Sequence, residues 1–295
     1  MQRIGRSLVA SSALRVALVG ERAQFIVGSG IDDARAVDVE HHSKGALTHD
    51  PMGCLANWTA VRDAWTTIAD HEGTPVRLED LSCPVPAPRQ LFAIGLNYGR
   101  HAAEMGSQIP SQPLAFAKFP SSLNHPAGDI VLVGDTVDYE AELVLVVGSG
   151  GRDIPMDEAW DRLAGVCVGQ DVSDRTLQYA GAPPQFSLGK SRRGFSVVGP
   201  WIADAAALPS RDDLRISCSV NGAVRQQTGT SDMIFPVAEI VSFLSSVCEL
   251  YPGDLVYTGS PPGVGHGMRP PQYLRPGDLI ETTIDGVGTI RNRCL

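Results

Sequence analysis

Glu140 and Glu142 stand two residues apart at the start of an otherwise apolar run, Asp138-Tyr139-Glu140-Ala141-Glu142-Leu143-Val144-Leu145-Val146-Val147. In a strand, residues two apart face the same side, so these two carboxylates project together, with Val144 and Val146 beyond them. The opposite face carries Ala141, Leu143, Leu145 and Val147. A strand apolar on both faces belongs in the middle of a buried sheet, where two bare negative charges repel each other and lack solvation. A divalent cation resolves that conflict; a solvated strand end resolves it too, without function. Asp171 adds a third carboxylate at the end of a second apolar run, Val166-Cys167-Val168-Gly169. Two glutamates and an aspartate offer hard oxygen ligands with no histidine or cysteine beside them, a set suited to Mg²⁺ or Mn²⁺ and not to zinc. Three protein ligands leave positions for waters or a chelating substrate.

A second group is the segment Gly95-Leu96-Asn97-Tyr98-Gly99-Arg100-His101-Ala102-Ala103-Glu104. His101 and Glu104, three apart, share a helical face, where a carboxylate on one imidazole nitrogen leaves the other free as a general base. An ordinary surface His–Glu pair has the same spacing. A third group, Asp171-Val172-Ser173-Asp174-Arg175-Thr176-Leu177-Gln178 with Gly189-Lys190-Ser191, holds Arg175 and Gln178, able to grip a carboxylate or carbonyl, and Lys190. Gly148-Ser149-Gly150-Gly151 lacks the third glycine of a dinucleotide loop, and Gly263-Val264-Gly265-His266-Gly267 lacks the Lys-Ser/Thr of a phosphate loop, so both read as turns. His41-His42 reads as part of a polar loop.

The elements that must position these groups are mostly strands. Leu91–Ile94, Tyr139–Val147 and Val166–Gly169 read as strands, Asp157–Ala164 as a short helix, and Leu214–Val220 with Ala223–Gln227 as a hairpin closed by Asn221-Gly222. Val237, Ile240, Val241, Leu244 and Val247 mark a helix started by Pro236. Pro252-Gly253-Asp254-Leu255 and Pro276-Gly277-Asp278-Leu279 each turn the chain into a strand. Nearer the N-terminus, Leu8–Ala10, Arg15–Val19 and Gln24–Val27 suggest a small sheet. Leu55, Trp58, Val61, Trp65 and Ile68 give one helical face, and Cys83-Pro84-Val85-Pro86-Ala87-Pro88 is an extended linker. The division is a small N-terminal α+β domain over 1–88 and a β-rich α+β catalytic domain over 89–295.

The 295 residues carry 24 basic and 33 acidic side chains, a net charge of -9, with no basic stripe to neutralise nucleic-acid phosphates and no polybasic membrane anchor. The N-terminal apolar stretch is broken by Arg6, Ser11-Ser12 and Arg15, so it lacks the continuous core of a signal peptide. Six scattered cysteines without a CxxC read as reduced thiols of a cytoplasmic protein.

Taken in order, the motifs GLNYGRHAAEMG, FAKFPSS, VDYEAELVLVVG, DVSDRTLQ, LGKS, VGPW, VNGAVRQ, MIFPVAEIVSFLS, LYPGDLVYTGSPPGVG and LRPGDLIETTIDGVGTIRN resemble the fumarylacetoacetate hydrolase superfamily from about Arg89 to the C-terminus. The resemblance implies a rolled mixed β-sheet, a homodimer, and a Mg²⁺ or Mn²⁺ site on Glu140, Glu142 and Asp171. It implies His101 and Glu104, on a segment that orders over substrate, and Lys190 as catalytic residues. Arg175, Gln178, Lys118 and Thr258 take substrate-binding positions. Departures at Ser173-Asp174-Arg175-Thr176 and Thr258-Gly259-Ser260-Pro261 bear on substrate identity. The implied partner is a small 2-oxo acid: a 2,4-dioxo acid of acylpyruvate type hydrolysed at its C3–C4 bond. Oxaloacetate decarboxylation and 2-hydroxyhepta-2,4-diene-1,7-dioate isomerisation are the alternatives on the same site. A metal-stabilised protein without turnover is the competing class.

Overall fold

The computed structural model describes residues 13–69 and 73–295. Leu8–Ala10 lies outside the described residues. Strands β1 (Arg15–Val19), β2 (Arg22–Val27) and β3 (Arg35–Asp38) are followed by helices α1 (Val39–His42), α2 (Pro51–Ala56) and α3 (Trp58–Trp65). Two short strands, β4 (Thr74–Pro75) and β5 (Leu81–Ser82), lead to β6 (Leu91–Gly95), α4 (Gly99–Glu104), β7 (Leu114–Ala117), β8 (Leu123–Asn124) and β9 (Val137–Asp138). The central strands β10 (Ala141–Val147) and β11 (Leu163–Asp171) come next, then β12 (Ser173–Asp174), α5 (Arg175–Gln178), α6 (Phe186–Gly189) and β13 (Ser196–Asp204). The chain ends with β14 (Arg215–Val220), β15 (Ala223–Gly229), α7 (Val237–Val247), β16 (Leu255–Tyr257), β17 (Leu279–Ile284) and β18 (Gly288–Arg293).

Among the described residues, twelve strands form one mixed sheet in the order β4-β3-β2-β1-β13-β11-β10-β16-β6-β7, with β5 on β1 and β8 on β13. Most neighbours are antiparallel, while β16–β6 and β13–β8 are parallel. A second sheet, β15-β14-β17-β18, covers one face. The alternation read in β10 holds. Leu143, Leu145 and Val147 pack into the core shared with Ile216, Val220, Ile280 and Ile290 of the second sheet. Val144 and Val146 face a separate core with Phe25, Trp58, Val61 and Trp65. All seven residues of β10 and all nine of β11 are buried, as strands covered on both faces must be.

The N-terminal strands do not stand apart from this sheet: β1 pairs directly with β13, with Val16 opposite Ile202. Trp58 and Arg62 of α3 donate to the buried Asp204 carboxylate at the end of β13, at 3.0 and 2.7 Å. The Leu55–Ile68 helical face is split into α2 and α3 at Asn57, whose backbone leaves the helical region at φ -127°. The segment read as a helix over Asp157–Ala164 is a 3₁₀ turn over Met156–Arg162, and Leu163 and Ala164 already belong to β11. At the hairpin, Asn221 and Gly222 take φ values of 53° and 78°, the two positive values that a tight two-residue turn requires.

Candidate active site

Register brings the three carboxylates together. Across the β10–β11 ladder Glu142 stands opposite Gly169, and two residues further the Asp171 N–H donates to the Glu140 carbonyl at 2.9 Å. Oxygens of Glu140, Glu142 and Asp171 lie within 4.8 Å of one another, and all three residues are buried. Each is anchored differently. Glu142 accepts from the Gly259 N–H at 2.7 Å. Glu140 receives Lys190 Nζ and Arg175, both at 2.7 Å. Asp171 receives Lys190 Nζ at 2.6 Å and also Lys118 Nζ.

The electrostatics divide the trio. Burial opposes the charge on Glu140, yet Lys190 and Arg175 hold its carboxyl well below the usual range. Burial, with the charges of Asp171 and Glu140, pushes Glu142 well above it. Counting Asp138, whose carboxylate accepts from Arg175 at 2.7 Å, four buried carboxylates face the three cations Lys118, Arg175 and Lys190. With all seven groups ionised one negative charge is in excess, and Glu142 is the carboxylate without an ion-pair partner among them. A divalent cation bound by oxygen ligands fits this set, because it relieves the repulsion that otherwise favours a protonated Glu142.

The His–Glu pair forms on α4. His101 Nδ1 lies 3.4 Å from Glu104 Oε2, and the histidine side chain is 6% exposed. Glu104 also accepts from the Gly263 N–H at 3.1 Å. Burial works against its carboxylate, but His101 and this backbone donor bring it below the usual range.

His101, Glu140, Asp171, Arg175, Gln178 and Lys190 line one cavity of about 400 Å³ together with Ile94, Leu96, Met105, Phe116, Tyr179, Phe186, Ser260 and His266. The side chains read as substrate-binding therefore separate into two groups. Arg175 and Gln178 reach the cavity, although the Arg175 guanidinium is already engaged by Asp138, Glu140 and the Gln178 amide oxygen. Lys118 and Thr258 lie behind the wall. Lys118 is 2% exposed, tied to Asp171 and to the Phe195 carbonyl at 3.0 Å, and Thr258 Oγ1 donates to the Leu143 carbonyl at 2.9 Å. Both side chains support the carboxylates' surroundings; Ser260, two residues after Thr258, is the one that faces the cavity.

The Gly263–Gly267 segment, read as a plain turn, is part of the site's frame. Gly263 holds Glu104, while the N–H groups of Gly265 and His266 donate to Asp138 at 2.8 and 3.0 Å. A Cβ on Gly265 would come within 1.9 Å of the Gln272 carbonyl oxygen, and one on Gly267 within 2.2 Å of Glu104 Cγ, so both glycines are required by close approach. Asp138 opens the acidic run and His266 lies inside the glycine-rich segment, but neither carries a local signal of this role. Their role depends on a fold that brings residues 138, 175 and 266 together, which no local spacing encodes.

Three buried carboxylates that could hold a metal ion thus share a neighbourhood with His101, which lines the same cavity as Glu140 and Asp171 and contacts Glu104. Residues 90–295 match the fumarylacetoacetate (FAA) hydrolase C-terminal family, and the chain belongs to that family. It is 41% identical over 213 residues to 2,4-didehydro-3-deoxy-L-rhamnonate hydrolase of Sphingomonas sp. (strain SKA58), covering 71% of this chain and 74% of the relative. It is 36% identical over 212 residues to the mitochondrial oxaloacetate tautomerase FAHD2A of Bos taurus, covering 71% and 68%. A solved Mycobacterium smegmatis structure superposes with a TM-score of 0.89 at 42% identity, over 95% of this chain and 99% of the other. Fumarylpyruvate hydrolase from Pseudomonas aeruginosa, solved with Mn²⁺ and pyruvate, superposes with a TM-score of 0.63 at 32% identity, over 70% and 90%. The relatives thus include both hydrolases and tautomerases.

Proposed function

We propose that the protein is a Mg²⁺- or Mn²⁺-dependent hydrolase that cleaves the C3–C4 bond of a 2,4-dioxo acid into a 2-oxo acid and a carboxylic acid. The observation that carries this reading is that the buried His101, 3.4 Å from the half-buried Glu104, lines the same cavity as Glu140 and Asp171 of the carboxylate trio. Glu140, Glu142 and Asp171 would hold the ion. When bound, it supplies Lewis-acid stabilisation of negative charge developing on the 2-oxo oxygen. Glu104 fixes the His101 tautomer through Nδ1, leaving Nε2 to take a proton from the water that attacks C4. Lys190 brings fixed positive charge to the cavity wall, where the C4 oxyanion forms. Arg175 keeps Glu140 ionised and aligned, and Gln178 orients Arg175 through a 2.9 Å hydrogen bond.

The identity to oxaloacetate tautomerases supports a second reading, in which the same histidine moves a proton at C3 and no C–C bond breaks. Pyruvate release from acetylpyruvate, followed with a lactate dehydrogenase coupled assay, separates the two. Hydrolysis predicts stoichiometric pyruvate that His101→Ala eliminates; consumption of the enol form without pyruvate supports the tautomerase.

The working unit we propose is a cytoplasmic homodimer. Six free cysteines, five of them buried, suit a reducing compartment. The edge strand β7, with exposed Leu114, and the nearby sequence position Phe119 (49% exposed) offer apolar surface to a second copy. Light scattering checks this, and a monomer at micromolar concentration contradicts it.

A further inference from the structure

The cavity has a charged floor and an aromatic wall, and the two have different capacities for a ligand. Phe116 lies under Lys190 Nζ, 5.8 Å from nitrogen to ring centre. From Phe116 the wall continues edge-on to Phe186 at 5.6 Å, then to Tyr179 at 6.5 Å, and Tyr179 stacks on His266 at 5.3 Å with 21° between the planes. His266 is fixed from behind by a 2.8 Å hydrogen bond between Nδ1 and the Tyr273 hydroxyl. Leu96 and Met105 add apolar surface. An aromatic arc thus leads from the reacting centre to His266.

No uncommitted lysine or arginine lines this wall among the described residues. Arg175 and Lys190, which do reach the cavity, already bind Asp138, Glu140 and Asp171. With a divalent ion in place, the four carboxylates and three cations counted above leave a single positive charge. One substrate carboxylate neutralises it, and a second would lie unpaired against aromatic rings.

We infer that the protein selects 2-oxo acids with a single carboxylate and an uncharged, apolar or aromatic tail, and that His266 is the specificity-determining residue at the tail end of the cavity. The inference rests on the proposed 2-oxo acid reading and deepens it. Burial, Arg175 and Arg269 outweigh Asp138 and Glu140 and lower the His266 imidazole below its usual range, so the ring adds no charge at neutral pH to attract a distal carboxylate; Arg269 itself lies outside the cavity lining, held by the His266, Gly267 and Met268 carbonyls. Its ring stacks on Tyr179, and an aryl or alkenyl tail would continue the same arc.

Calorimetric binding of two 2-oxo acids that lack a C4 carbonyl, and so cannot be cleaved, tests this in the Mg²⁺-loaded full chain. We expect 2-oxo-4-phenylbutanoate to bind at least about tenfold more tightly than 2-oxoadipate, as an unpaired distal charge would require. Equal or tighter binding of 2-oxoadipate overturns the inference and leaves the 2-oxo acid reading standing. Failure of both acids, and of pyruvate, to bind overturns that reading as well. His266→Arg places a cation at the tail end and should narrow the preference by raising 2-oxoadipate affinity. An unchanged ratio in a folded H266R protein removes His266 from the tail contact.

Discussion

Two clusters of charge, one on the N-terminal strands and one on the central strands of this sheet, use the same residue types with different consequences. On the N-terminal strands, Arg22 binds Asp38 at 2.6 Å and Glu40 at 2.8 Å, while His49 meets Glu40 at 3.2 Å; these side chains are between 22% and 46% exposed. Around β10 and β11, Glu140 and Asp171 meet Lys118, Arg175 and Lys190 with side chains no more than 7% exposed, while the buried Glu142 has only the Gly259 N–H. At the surface, water solvates each partner, and the pairs contribute little. In the interior no solvent compensates an unmatched charge, so one surplus carboxylate creates a demand for a cation. The difference between an ordinary ion pair and a candidate metal site is burial combined with imbalance.

The strongest way to break this contrast is Glu142→Gln. Metal-dependent turnover should fall to background and Mn²⁺ binding, read by electron paramagnetic resonance, should be lost. The Tm of the chelator-treated protein should hold or rise, since a repelling group has been neutralised. Retained Mn²⁺ binding would remove Glu142 from the ligand set. Next, His101→Ala should lower hydrolysis by about 10²–10⁴-fold, the usual worth of a positioned base, while Mn²⁺ affinity persists; unchanged turnover would show that the pair does not activate water. Lys118→Met strips Asp171 of a buried partner and should cost about 3–5 kcal/mol in urea unfolding. A loss under 1 kcal/mol, within about the surface-pair range, would mean that Asp171 finds other compensation.

The smallest effect belongs to the N-terminal cluster. Hydrogen bonds from Arg22, against a smaller opposing contribution from burial, hold the Asp38 carboxyl down to about 2. Its folded pKa is depressed, so its stabilisation is present above the ordinary carboxylate range of about 4 and disappears as pH falls toward 2. Arg22→Ala should lower Tm slightly at neutral pH, less so in high salt, and not at all once the pH is well below the folded pKa of Asp38. A large loss at neutral pH would overturn the contrast between the two clusters.

The chemistry was more legible in the sequence than its frame. Glu140, Glu142 and Asp171 could be read because strand alternation and apolar runs are local signals, and the β10–β11 register then joined them. His101 and Glu104 were readable for the same reason, lying three apart on one helix. Lys118 and Thr258 pointed to the right neighbourhood, but whether a buried polar side chain faces the cavity or braces the wall depends on tertiary packing. The Gly263–Gly267 cradle was hidden because its partners, Glu104 and Asp138, lie more than a hundred residues away. The pairing of β1 with β13 was equally nonlocal: a proline-rich linker marks a change of direction in the chain without revealing that the preceding strands extend the same sheet.

The central claim is that the buried imbalance of charge supports metal-dependent C–C hydrolysis. Proton NMR of the chelator-treated protein with acetylpyruvate in D₂O, before and after Mg²⁺ is added, tests it most directly. The account predicts pyruvate and acetate only after the metal is present, at equal rates of appearance. Deuterium exchange at C3 with no acetate formed, or cleavage that proceeds equally well under chelation, would contradict it.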